Sequence, residues 1–125
     1  MSLINTHRDL KVYQLSFKTS MELYEISKRF PRNEQFSLIA QIRRSSRSIS
    51  SNIAEAFRKR KYPKFFASKL SDSEAEAAET QNWLDYAFQC KFINEFEHKD
   101  LNEKYNKIIG MLVNMRLSAH RWQVG

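Results

Sequence analysis

The 125-residue chain carries 21 lysines and arginines against 14 acids, a formal charge of +7, with 42% hydrophobic residues. That length suits one domain burying roughly two-thirds of its unfolded surface, and the composition excludes a disordered chain. No segment approaches the ~20 apolar residues of a membrane span, which excludes a membrane protein.

Two glycines and two prolines leave little material for turns, so few and long elements are expected. A single cysteine, Cys90, cannot form an internal disulfide, and MSLINTHRDLK lacks the apolar run of a signal peptide. Both point to the cytoplasm, with residues 1–7 as a tail and 8–122 as one domain.

Helix one is expected over about Asp9 to Phe30. Leu10, Tyr13, Phe17, Met21 and Tyr24 fit one stripe, widened by Leu23, Ile26 and Phe30, and both stripes are expected to be mostly core. Pro31 ends this helix by pushing Phe30 away from helical geometry. Helix two is expected from Asn33 or Glu34 to Phe57. On it Leu38, Ile42, Ser45, Ile49, Asn52 or Ile53, and Ala56 recur at helical spacing, a core face with hydroxyls in its seam. Beside that face runs a second stripe of small residues and arginines: Ala40, Arg43 or Arg44, Arg47, Ser50 or Ser51, Ala54 and Arg58.

A cationic link, Arg58 to Lys61, leads to Pro63, which suits the first position of helix three, where a missing N–H is harmless. Phe66, Leu70, Ser73, Ala77, Thr80, Leu84 and Ala87 or Phe88 keep helical period over about 27 residues, with Trp83 and Cys90 on an adjoining line. Cys90 is expected in the core. Asn94 and Glu97 read as a capping box opening helix four. Its seam, Leu101, Tyr105, Ile108, Leu112, Met115, Ala119 and Trp122, alternates steps of four and three. Four such helices with short links predict an all-α, antiparallel, up-down-up-down four-helix bundle.

Charge is unevenly distributed. Residues 43–64 hold eight cations against Glu55 alone, while residues 70–90 hold only acids: Asp72, Glu74, Glu76, Glu79 and Asp85. A basic pole and an acidic wall follow.

Phe30-Pro31, Glu34, Leu38, QIRRSS at 41–46, SISSNIAEA at 48–56, KLS at 69–71 and EAAETQNWL at 76–84 carry a resemblance. Over about residues 8 to 118 the chain resembles the small bacterial four-helix-bundle proteins encoded within intervening sequences of large-subunit ribosomal RNA genes. The resemblance implies a homopentamer with no established enzymatic activity. The accessory protein of diversity-generating retroelements is similar in fold and assembly, and associates with nucleic acid and a reverse transcriptase. Two positions depart from the family pattern: Ser50 stands where proline is usual and Ala56 where glycine is usual, which should leave helix two straighter and longer.

Two uses of the cations are open. Arg58, Lys59, Arg60, Lys61 and Lys64 lack nearby acids and suit the phosphates of RNA or single-stranded nucleic acid. Tyr62, Phe65 and Phe66 could stack on unpaired bases, although the phenylalanines also fit the start of a core stripe. Arg43, Arg44 and Arg47, with Asn52, Glu55, Glu76 and Glu79, suit contacts within the chain, between subunits or with a protein partner such as a nucleic-acid-processing enzyme. No catalytic residue is expected, because the serines around Asn52 and Glu55 have no histidine within 35 positions. No metal is expected either: Glu95 with His98 is a lone Glu-x-x-His pair where a di-iron bundle needs two. With only Gly110 and Gly125, no glycine-rich phosphate loop or cofactor is expected.

Overall fold

A computed structural model describes residues 4–123, built from helices α1 (Lys11–Ser27), α2 (Leu38–Arg58), α3 (Pro63–Gln89), α4 (Glu95–Leu117) and the single turn α5 (Ala119–Trp122). Among the described residues there is no strand.

Side-chain pairs define the topology. Between α1 and α2, Ser20 meets Ser46 and Ser27 meets Arg43. Between α2 and α3, Ser45 meets Thr80, Ile49 meets Ser73, and Glu55 meets Lys69. Between α3 and α4, Glu74 meets Arg116, Gln81 meets Asn106, and Asp85 meets His98. The circuit closes where Glu22 of α1 meets Lys104 of α4 at 2.8 Å. In each set the numbers run in opposite directions, so every neighbour is antiparallel and the four long helices form the expected up-down-up-down bundle.

The interior holds Ile42, Ile49 and Ile53 of α2, Phe66, Leu70 and Leu84 of α3, and Leu101, Tyr105, Ile108 and Leu112 of α4, all 0 or 1% exposed. Burying each such side chain stabilises the fold by about 1.5–3 kcal/mol. Hydroxyls share this interior. Ser73 donates across to the Ile49 carbonyl at 2.8 Å, and Thr80 is 2.8 Å from Ser45 while also meeting the Glu76 carbonyl. Each of these serine and threonine hydroxyls has a partner, which removes most of the penalty of its desolvation. α2 runs unbroken through Ser50 and Ala56.

Several expectations need correction. Phe17 and Met21 are 51% and 48% exposed. Leu10, Leu23 and Phe30 are buried as expected, but the rest of the core face of α1 is Val12, Ser16, Thr19, Ser20 and Ser27. Helix two starts at Leu38, several residues later than expected. Arg32–Glu34 form a 3-10 turn, and the Glu34 carboxylate takes the Ser37 hydroxyl and the Leu38 N–H, capping the helix from outside. The seam of α4 does not reach Trp122 in one helix. Ser118 interrupts it, and α5 folds Trp122 against Phe66, ring centres 6.3 Å apart.

Cys90 is exposed, not buried: it caps α3, and at Lys91 the chain turns away with φ 65°. Thr6 and His7, expected in the tail, belong to a 3-10 turn, His7–Asp9, closed by a capping box between Thr6 and Asp9. Residues 1–3 of that tail lie outside the described residues.

Candidate nucleic-acid interface

The basic link sits at the end of the bundle where α2 finishes and α3 begins. Tyr62 precedes α3 in extended geometry, and Pro63 takes the first helical turn as its fixed φ favours. Arg58, Lys59, Lys61 and Lys64 are exposed, and Arg60 is half-buried. Among the described residues none of these five forms an ion pair with a carboxylate. Arg60 folds back, donating to the Phe57 carbonyl at 3.0 Å with its guanidinium 4.0 Å from the Phe57 ring centre. Lys59 and Lys61 lie over aromatic rings of the same link.

The fold brings further cations here from distant sequence. Antiparallel packing places the 3-10 turn carrying Arg8, and the start of α1 with Lys11, against the end of α2. α5, with Arg121, packs on α3, and Gln123 donates to the Lys61 carbonyl at 3.3 Å. No local pattern announced this; it follows only once four antiparallel helices return both ends of the chain to one pole.

The second group of site residues divides between two faces. Arg44 reaches α3, pairing with Glu76 at 3.1 Å and with Glu79, whose carboxylate also accepts from the Trp83 indole at 3.0 Å. Arg43 and Arg47 turn the other way, towards α1. Arg43 donates to Ser27 at 2.8 Å, and the two guanidinium carbons stand 4.6 and 5.5 Å from the Tyr24 ring centre. Asn52 is buried and bonds Ser48, while Glu55 is exposed and reaches Lys69 at 3.6 Å. Glu76 and Glu79 thus already hold a cation of their own chain, whereas Arg43 and Arg47 face a tyrosine and, among the described residues, no carboxylate.

Most of the acidic wall is engaged in similar pairs. Glu74 holds Arg116 at 2.7 Å, and this pairing raises the arginine's pKa further. Asp85 meets His98 at 2.8 Å, and Phe88 stacks on that imidazole at 4.5 Å. Glu95 is exposed, and among the described residues no three His, Cys, Asp or Glu side chains converge as a metal cage would require. Lys104, between Glu22 and Asp100, has its pKa raised by those two hydrogen bonds. These carboxylates hold the helices in register.

The sequence reading missed the outer face of α1, where exposed Phe17 and Met21 lie alongside half-buried Tyr13 and Tyr24. The available signal was the row of hydroxyls at Ser16, Thr19, Ser20 and Ser27, which forms a second, equally periodic face.

Residues 8–114 match the family model described as 23S rRNA-intervening sequence protein. The crystal structure at 1.70 Å of a protein of unknown function from the S23 ribosomal protein family of Bacteroides thetaiotaomicron is similar, with TM-score 0.76 and 25% identity, covering 84% of this chain and 94% of that one. No protein with a curated description matches the sequence.

Proposed function

The chain belongs to the 23S rRNA-intervening sequence protein family, and we propose that it is a non-enzymatic bundle that assembles with itself, as a pentamer on the family resemblance, and binds RNA or other nucleic acid through its basic pole. One observation carries this reading: Arg58, Lys59, Lys61 and Lys64 project from one end of the bundle with no carboxylate partner among the described residues. Elsewhere on the molecule Arg44 and Arg116 are neutralised by pairing. Cations left unpaired in one place attract a polyanion by releasing its counterions, and copies in an oligomer repeat the contact.

The test is a salt titration of binding to a structured RNA, with light scattering reporting the oligomer throughout. Four phosphate contacts per chain give a log–log slope of about −3 where the RNA is unpaired and about −4 where it is duplex. The combined Lys59→Glu, Lys61→Glu and Lys64→Glu variant should lose most of the affinity while its mass stays unchanged. A flat salt response, or full binding by that variant, overturns the reading.

A second reading, an oligomeric scaffold or adaptor for a protein partner, is favoured by the α1 face. Phe17 and Met21 expose apolar area beside Tyr24, and Arg43 and Arg47 stand at its edge without carboxylates among the described residues. Under this reading Arg47→Glu breaks the oligomer; an unchanged mass in solution removes Arg47 from the interface.

A further inference from the structure

We infer that the basic pole takes unpaired bases, stacked on Tyr62 and Phe65, so that its ligand is single-stranded nucleic acid in preference to a duplex. This rests on the nucleic-acid reading above and narrows it.

The stretch KYPKFF places three aromatics in five positions, and the fold treats them differently. Phe66 enters the core at 0% exposure, whereas Tyr62 and Phe65 remain 52% and 44% exposed. Tyr62 stands just before α3 and Phe65 in its first turn, and one cation relates the two rings. The Lys59 ammonium joins them, lying 5.9 Å from the Tyr62 ring centre and 5.8 Å from that of Phe65, while Lys61 sits 5.2 Å from Tyr62. The backbone beneath is fixed from both directions. The Tyr62 N–H donates to the Lys59 carbonyl, and the Tyr62 carbonyl accepts from the Phe66 N–H, both at 2.9 Å. Pro63 stiffens the joint further.

The result is a pair of solvent-facing π surfaces on a rigid turn, surrounded by cations that no carboxylate neutralises among the described residues. Each component answers one part of a single strand. Bases have π faces that stack on aromatic rings whatever their sequence, and the phosphates between them meet the lysines and arginines. A duplex satisfies only the second half of this arrangement, because its base faces are already stacked on one another. Plain electrostatic attraction to a duplex would leave two exposed rings without a role.

The test uses the full chain and a labelled oligonucleotide of about 12 nucleotides, within the span of known single-strand sites, alongside the same sequence as a duplex. Fluorescence anisotropy is read at one moderate salt concentration. The single strand should bind more tightly. Tyr62→Ala and Phe65→Ala should each weaken it by about 5- to 150-fold, the usual effect of one lost base stack, while duplex binding changes little. Tyr62→Phe keeps the ring and should bind as the unaltered protein does. Tyr62→Trp should also bind, with emission quenched by the single strand beyond any change seen for Trp83 and Trp122 in the parent chain.

Equal affinity for both nucleic acids, unaltered by either alanine change, overturns the stacking inference and leaves the electrostatic reading in place. If the parent chain binds neither even at low salt, the nucleic-acid reading itself falls. A drop in oligomer mass on Tyr62→Ala or Phe65→Ala would instead assign the rings to contacts between copies of the chain. Circular dichroism melts of each variant separate these outcomes from loss of fold.

Discussion

Replacing Tyr105 by phenylalanine should make the protein more stable. Tyr105 lies in the α4 seam at 0% exposure, and its hydroxyl is a fully buried polar group with no hydrogen-bond partner among the described residues. An unsatisfied buried hydroxyl costs about 1–3 kcal/mol. Phenylalanine keeps the ring and its packing, and leaves a void of one oxygen whose cavity cost offsets part of the gain, so a net stabilisation of ~1 kcal/mol is expected. With an unfolding entropy of about 0.26 kcal/mol/K for 125 residues, this raises Tm by ~4 °C. Urea unfolding at matched protein concentration should show a higher midpoint with an unchanged slope.

Alkaline pH supplies a second arm of the same test. Burial, and then the negative charge of Glu22, push the Tyr105 pKa well above its ordinary value of 10.0. A raised folded-state pKa means a contribution that is fully present below pH 10 and is lost as the unfolded chain ionises above it. The Tyr105→Phe variant should therefore lose less stability above pH 10 than the parent. A variant destabilised by more than ~1 kcal/mol would refute the reasoning, because it would show that the hydroxyl is satisfied in solution, for example by a buried water.

Three further changes probe other parts of the bundle. Arg44→Ala removes a half-exposed guanidinium from Glu76 and Glu79 and should lower stability by about 0.5–1 kcal/mol, read from the urea midpoint, without altering oligomer mass. Lys91→Gly should raise stability by about 0.5–1 kcal/mol, since relief of a left-handed lysine at φ 65° exceeds the backbone freedom glycine must give up. Phe17→Asp combined with Met21→Asp should reduce self-association in light scattering while leaving helicity intact, because both side chains are about half exposed; an unchanged mass would show that this face meets no second copy.

The bundle was legible because α2 and α4 each present one unambiguous face. Ile42, Ile49 and Ile53 repeat at helical spacing, as do Leu101, Tyr105, Ile108 and Leu112, and no other line on either helix competes. On α1 two lines compete, and hydropathy favours the wrong one. Phe17 and Met21 outrank Ser16 and Thr19 in every transfer scale, yet the latter are buried because hydroxyls that bond the carbonyl four residues back, as Ser16 does to Val12 and Thr19 to Leu15, carry little residual polarity into the core.

The division of Arg43, Arg44 and Arg47 was beyond period alone. Successive helical residues differ by about 100°, so Arg43 and Arg44 reach different neighbours, and only the position of α3 decides which one meets Glu76. The cations at 58–64 were visible as a run, but Phe66 turning inward while Phe65 stays outward depended on where α3 settles against α2 and α4.

An even number of antiparallel helices returns the chain to the end from which it set out. Ile4 and Trp122 line the same groove beside Leu10 and Met115, and Gln123 touches the link at Lys61. The first and last described residues, Ile4 and Gln123, therefore both lie beside the basic pole. A polyhistidine tag placed there would add titrating cations to the surface under test and steepen any salt dependence artificially. The opposite end, where Phe36 is 89% exposed in the link between α1 and α2, is the place for a fluorophore or for new termini in a circular permutant. Such a permutant would carry its handles on the far side of the bundle and leave Arg58 to Lys64 with only the charge the native chain provides.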